Sequence, residues 1–175
     1  MLGRASVLGL GVLVGGTVPF RAALAQSPVK GGILKMGLGG GESTESLDPA
    51  MALAQVAFHV TRTFGETLLD VNNDGSLDMR LAEDVSSSPD AKTWTFKIRQ
   101  GVKFHDGAVM TANDVLETMR RHSDEEAKSG ALGIMKGIES MKVDGDVFSV
   151  TLGAANADLP YLMADYHLIV QPNGG

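Results

Sequence analysis

The 175-residue chain contains no cysteine. That excludes disulfides, zinc–thiolate sites, iron–sulfur clusters and thiol nucleophiles together. Basic residues are scarce: 15 Lys and Arg stand against 21 Asp and Glu, a formal net charge of -6. No Lys/Arg run supplies a local phosphate patch, so nucleic-acid binding has no electrostatic support. Long hydrophobic runs are missing as well. The uncharged stretch Ala5–Val18 is shorter than the ~20 residues that a membrane-spanning helix needs. Histidines number four, His59, His105, His122 and His167. No two have the spacing of a helical ligand pair, and HExxH is absent.

What is present reads as one globular domain behind a leader. Hydrophobic residues make up 43% and charged residues 21%, which rules out disorder throughout. Arg4 begins a short positive segment, Ala5–Val18 is rich in Val, Leu, Gly and Ala, and Ala23-Leu24-Ala25 gives an A-x-A cleavage site. Residues 1–25 are therefore expected to be a signal peptide cleaved after Ala25, with 26–175 the exported part. The twin arginines of the twin-arginine route are missing, and the export route stays open. Losing Arg4 and Arg21 leaves 13 basic against 21 acidic side chains, a net charge of -8. Such an acidic, cysteine-free domain suits a soluble periplasmic protein.

Along the chain, Ile33–Leu38 reads as a first strand, followed by a flexible loop at Gly39–Ser46. Asp48-Pro49 starts a helix, with Asp48 as cap and Pro49 at the first helical position. That helix is expected to run to about Gly65, burying Met51, Val56, Phe58 and Val60. Leu68–Val71 and Leu77–Met79 flank Asn72-Asn73-Asp74-Gly75, a hairpin signal. Trp94, Phe96 and Ile98 alternate with Thr95, Lys97 and Arg99, a half-buried strand. Thr111-Ala112-Asn113-Asp114 opens a capped helix with Val115, Leu116 and Met119 as its apolar stripe. Ser123–Gly130 reads as polar surface. Val143–Val147 is a second hairpin turn, Leu159–Met163 a short helix, Leu168–Val170 a last strand and Gln171–Gly175 an open loop.

The candidate chemistry is thin. Asp70-x-Asn72-x-Asp74-Gly75 matches the start of a calcium loop, but the closing Glu is replaced by Leu81 and the flanks read as strands. Gly37-x-Gly39-Gly40-Gly41 is followed by Glu42, which breaks the dinucleotide pattern and repels phosphate. Gly41-Glu42-Ser43-Thr44-Glu45 lacks the final glycine of a nucleophile elbow. His105-Asp106 sits on a tight turn where neighbouring side chains diverge, so it reads as structural rather than catalytic.

The stretch from Leu69 to Val115 resembles the signature region of the family 5 extracytoplasmic solute-binding proteins, the peptide, nickel and oligosaccharide receptors of ABC importers. The likeness is carried by Asn73-Asp74-Gly75-Ser76-Leu77, Leu81-Ala82-Glu83, Ser88-Pro89-Asp90, Trp94-Thr95-Phe96, Gly101–Gly107 and Thr111-Ala112-x-Asp114-Val115, with Leu47-Asp48-Pro49 upstream. It implies an α/β fold of mixed α+β type: the first-lobe portion of a two-lobed, type II periplasmic binding protein, a mixed sheet with flanking helices. It implies that the Trp94–Val115 stretch is scaffold. It also implies a non-enzymatic role without cofactor: solute, most simply an oligopeptide, is captured between two lobes and handed to permease subunits at the membrane. Family members are several hundred residues long, so the chain is expected to hold one wall of the cleft, with the second lobe absent. By position, the ligand-contacting candidates are Gly40, Gly41, Glu42, Ser43 and Thr44 in the loop, and Tyr166 and His167 near the end. The rival classes are an exported hydrolase or metal-dependent enzyme, and an interaction module without a small ligand.

Overall fold

The computed structural model describes residues 30–175, so the leader and its cleavage site lie outside the described residues. Residues 30–36 contain no helix or strand and belong to a unit separate from Gly37–Gly175. The strand expected at Ile33–Leu38 is not formed. A strand exists by pairing, and none of the described ladders includes this run.

The chain from Gly37 onward is built on a four-stranded sheet. In chain order the elements are α1 (Gln55–Phe64), the hairpin β1 (Leu69–Val71) and β2 (Leu77–Met79), then β3 (Ala82–Ser87) and β4 (Thr93–Ile98). They continue with α2 (Ala112–Ser123), α3 (Leu132–Met135), β5 (Ile138–Asp144), β6 (Val147–Leu152) and α4 (Leu159–Leu162). The sheet order is β3-β4-β6-β5, and β1-β2 forms a small sheet of its own. All the described ladders are antiparallel, so these residues contribute no parallel pairing. Both edge strands carry a register shift, at Ala82/Asp84 and Ile138/Ser140, which blunts the edges against further pairing.

Period-two alternation puts Trp94, Phe96 and Ile98 on one face of β4, opposite Val150 and Phe148 of β6. The Phe96 and Phe148 ring centroids lie 6.1 Å apart. Val115, Leu116 and Met119 of α2 complete this core. Trp94 stays buried because its Nε1–H donates to the carbonyls of Ala91 (3.3 Å) and Asn156 (3.1 Å). The two hairpins form where expected, with Gly75 at φ 83° and Gly145 at φ 61°. The Asp74 carboxylate accepts the Ser76 N–H (2.9 Å) and hydroxyl (2.6 Å), closing a turn rather than a calcium shell.

Three further expectations need correction. The helix from Asp48 breaks after one 3-10 turn, Pro49–Met51, and α1 restarts at Gln55. A continuous helix would give the carbonyls of Ala50 and Ala52 to N–H groups four residues on. Instead Gly130 N–H takes the first (3.0 Å) and the His167 ring takes the second (3.0 Å). The buried face is accordingly Ala57 and Thr61, while Met51 and Val60 are exposed. Leu168–Val170 is buried but joins no ladder; Val170 N–H donates to Glu66 O at 3.0 Å. The tail is not open: its 3-10 turn Pro172–Gly174 docks on α2, with Asn173 N–H donating to Asp114 Oδ1 (2.9 Å) and Gln171 N–H to Thr118 Oγ1 (3.1 Å).

Candidate functional site

Both groups of candidate residues border one segment, Ala52–Phe58. Gly40 and Gly41 take φ values of 93° and 95°, conformations that glycine adopts freely. A Cβ on Gly40 would stand 2.7 Å from the Ala54 Cβ, so the glycine lets the loop lie against the start of α1. A turn follows, closed by Glu45 N–H to Glu42 O at 3.0 Å. Glu42, Ser43 and Thr44 are exposed, and their side chains make no hydrogen bond within the described residues. Glu45, which composition and motif gave no reason to select, has a buried carboxylate oxygen without a partner.

Tyr166 packs edge-on against Phe58, with centroids 4.9 Å apart and planes at 82°. Its ring centroid also lies 4.0 Å from that of the His167 ring. The Arg62 guanidinium sits 5.4 Å from the Phe58 centroid and binds Asp70 through both terminal nitrogens, at 3.0–3.2 Å. Burial pushes the Asp70 carboxyl up, but the hydrogen bonds from Arg62 and Val71 and the charges of Arg62 and Arg80 hold it below its ordinary value. Phe58, Arg62, Asp70, Tyr161, Asp165 and Tyr166 line a shallow groove of about 260 Å³. This is a place for an apolar or aromatic group with polar groups at its rim.

His167 differs from its neighbour. It is buried, and both ring nitrogens are engaged, Nδ1 with Asp165 Oδ1 (2.7 Å) and Nε2 with Ala52 O (3.0 Å). Both ring nitrogens are thus engaged within the protein, tying the ring to Asp165 and to the Ala52 turn. Among the described residues, no hydrogen bond joins the Gly39–Ser46 loop to Tyr166 or His167.

A larger cleft of about 570 Å³ lies elsewhere, between the end of α1, the turn at residues 102–110 and the tail. It includes neither candidate group, but His105 and Asp106 stand on its rim. Asp106 accepts Ala108 N–H (2.8 Å) and Gly107 sits at φ 90°, so this pair shapes the turn. His105 makes no bond to Asp106. Among the described residues, no cluster of three or more His, Asp and Glu is arranged to hold a metal.

The model of the bacterial extracellular solute-binding proteins, family 5, matches residues 77–174, which is β2 through the docked tail. The chain belongs to this family. A glutathione-binding protein, GsiB of Pectobacterium atrosepticum, is 30% identical over 135 residues, covering 75% of this chain and 26% of that protein. The oligopeptide-binding protein OppA of Bacillus subtilis is 41% identical over 69 residues, 39% of this chain and 13% of OppA. The solved structure of AgaA from A. tumefaciens R10, in complex with agropinic acid, superposes with a TM-score of 0.69 at 27% identity, covering 73% of this chain and 26% of AgaA. This family 5 chain thus spans about a quarter of the length of GsiB and of AgaA. The expected first-lobe fold is the one these neighbours share.

Proposed function

We propose that this chain is the N-terminal part of an extracytoplasmic substrate-binding component of an ABC importer, and that its solute is a peptide. The family match running through the sheet, α2 and the tail carries the reading. Relatives named for glutathione and oligopeptide binding support the solute class. Residues 1–25 act as the leader, and the mature chain works outside the cytoplasm beside permease subunits. No catalytic step is assigned to it: two lobes close on the solute, and the ligand shifts the hinge equilibrium by binding the closed form better. Because the chain spans about a quarter of GsiB, it supplies one wall of that cleft. Gly40–Thr44 and Tyr166 are its contributions, with His167 holding Tyr166 in place.

A thermal-shift panel of short peptides, glutathione and agropinic acid tests this. A ligand at 100 times its Kd stabilises a native protein by about 2.7 kcal/mol. The expected result is a peptide-induced shift in the protein extended along its reading frame, and none in the 175-residue chain. A shift with agropinic acid and not with peptides would move the solute to the opine-like class. Tight peptide binding by the 175-residue chain would refute the one-wall reading, and turnover of model esters or peptides would refute the non-catalytic one.

A further inference from the structure

Apolar side chains from distant parts of the chain meet in the shallow groove beside Tyr166. Val71 of β1 is 42% exposed, Tyr161 and Leu162 of α4 are 46% and 38% exposed, and Ile134 of α3 joins them. Single exposed apolar residues are ordinary on a protein surface, but several brought together from separate elements mark a binding surface. Phe58 of α1 and Tyr166 complete the apolar lining. The volume, about 260 Å³, lies below the ~300–1,000 Å³ of sites that enclose a whole small ligand. It is room for one group of a larger ligand.

The groove is built before any ligand arrives. Phe58 and Tyr166 stand edge to face at 4.9 Å, and the Tyr166 centroid lies 4.0 Å from that of His167, whose ring is bonded to Asp165 and Ala52. Little side-chain freedom is left to lose on binding. The charged groups on the rim are already engaged. Arg62 holds Asp70 at 3.0–3.2 Å, and Arg80 reaches the second Asp70 oxygen at 3.6 Å. Asp165 accepts the His167 backbone N–H at 2.9 Å and lies 2.7 Å from its ring Nδ1. An incoming charged side chain finds no unpaired counter-charge, so it must lose water or break one of these pairs. An uncharged ring or branched chain breaks none of them and gains aromatic surface to pack on.

We propose that this groove is the subsite for one large uncharged side chain, aromatic or branched aliphatic, of the bound peptide, and that Tyr161 and Tyr166 set that preference. The assignment to a peptide rests on the importer reading above. The preference for an uncharged apolar group rests on the groove alone. Successive side chains of an extended peptide point to opposite sides. The subsite therefore selects at one residue and leaves its neighbours to the rest of the cleft.

The test uses the 175-residue chain and the probe N-acetyl-phenylalaninamide, one phenyl side chain on a capped, uncharged backbone. Methyl signals of Val71, Ile134 and Leu162 report on the groove. They should shift saturably with a Kd on the order of 1 mM, while the methyls of Val150 in the core stay still. N-acetyl-alaninamide should bind about tenfold more weakly, because it covers less apolar surface. The lysine and aspartate counterparts should bind more weakly by about tenfold as well. Tyr161→Ala should weaken the phenylalanine probe about two- to tenfold, and Tyr161→Phe, which keeps the ring, should not. Tyr161 is exposed, so both variants are expected to fold as the unaltered chain does. If either does not, the ranking of probes on the unaltered chain decides.

Groove signals that ignore the phenylalanine probe overturn the subsite, and so does a lysine or aspartate probe that binds as well. A Tyr161→Ala chain that folds and binds like the unaltered one removes Tyr161 from the assignment and counts against it. The importer reading fails separately. A peptide-induced thermal shift in the extended protein, with no phenyl preference at the groove, keeps that reading and sinks the subsite. Saturable phenyl binding at the groove, with no peptide-induced shift in the extended protein, keeps the apolar preference and overturns the peptide assignment.

Discussion

At the scale of single residues, Gly130 shows how one missing side chain admits another. A Cβ built on it would lie 2.3 Å from the His167 Nε2, 2.7 Å from Cε1 and 2.8 Å from Cδ2. The ring cannot retreat while it is held by Asp165 on one edge and Ala52 on the other. Gly130→Ala is therefore expected to cost about 1–3 kcal/mol through overpacking, measured by urea unfolding. A double-mutant cycle makes the cause specific. With His167→Ala in the background, the same Gly130→Ala change should cost much less, because the clashing ring is gone. An equal cost in both backgrounds would place the strain elsewhere. His167 stood out only by its position near the end of the chain, and its pairing with Gly130 was not legible in the sequence. His167 is 37 residues on from Gly130 in chain order, and nothing periodic or motif-like links them.

At the scale of elements, what was legible was local. Both hairpin turns, β4 and the start of α2 follow from residues within a few positions of each other: a glycine at positive φ, a two-residue alternation, and Thr111 with Asp114. What was not legible depends on partners far along the chain. The break after Pro49–Met51 depends on Gly130 and His167. The burial of Leu168–Val170 without a ladder depends on Glu66 and on Gly65, where a Cβ would reach to 2.3 Å from Ile169 Cγ2. The loop candidates were legible as a flexible glycine run, and their placement on α1 was not. Asp114 belongs to both classes. Its carboxylate accepts the Thr111 N–H and hydroxyl, both at 2.8 Å, as the first turn foretells, and also the Asn173 N–H at 2.9 Å from the tail. Asp114→Ala removes all three and should cost about 2 kcal/mol. Burial pushes the Asp114 carboxyl up, but these donors hold it below its ordinary 3.8. Its contribution is thus complete above that value and is lost as pH falls through the lower folded value. Urea midpoints between pH 5 and 2 should fall less steeply for Asp114→Asn than for the unaltered chain. Parallel curves would show that these three donors together do not lower the Asp114 carboxyl.

At the scale of the whole molecule, one hydrophobic cluster runs from Leu68 before the small hairpin to Val170 beside the tail, through β4, β6, α2 and α4. Elements that share one core cannot be removed one at a time without exposing the rest, so the part from Gly37 onward should unfold as a unit. Trp94 is the only tryptophan, and its emission reports the closed end of the sheet, where its indole N–H binds Ala91 and Asn156. Urea curves followed by Trp94 fluorescence and by far-ultraviolet circular dichroism should therefore coincide. Phe96→Leu shortens a fully buried side chain at the centre of β4 and should lower stability by about 1–2 kcal/mol. Because the core is shared, that change should move both curves by the same amount. If circular dichroism kept a transition that neither Trp94 nor Phe96→Leu touched, α1 and the β1–β2 hairpin would be folding on their own. The docked tail and the His167 bond to Ala52 would then join two units rather than brace one.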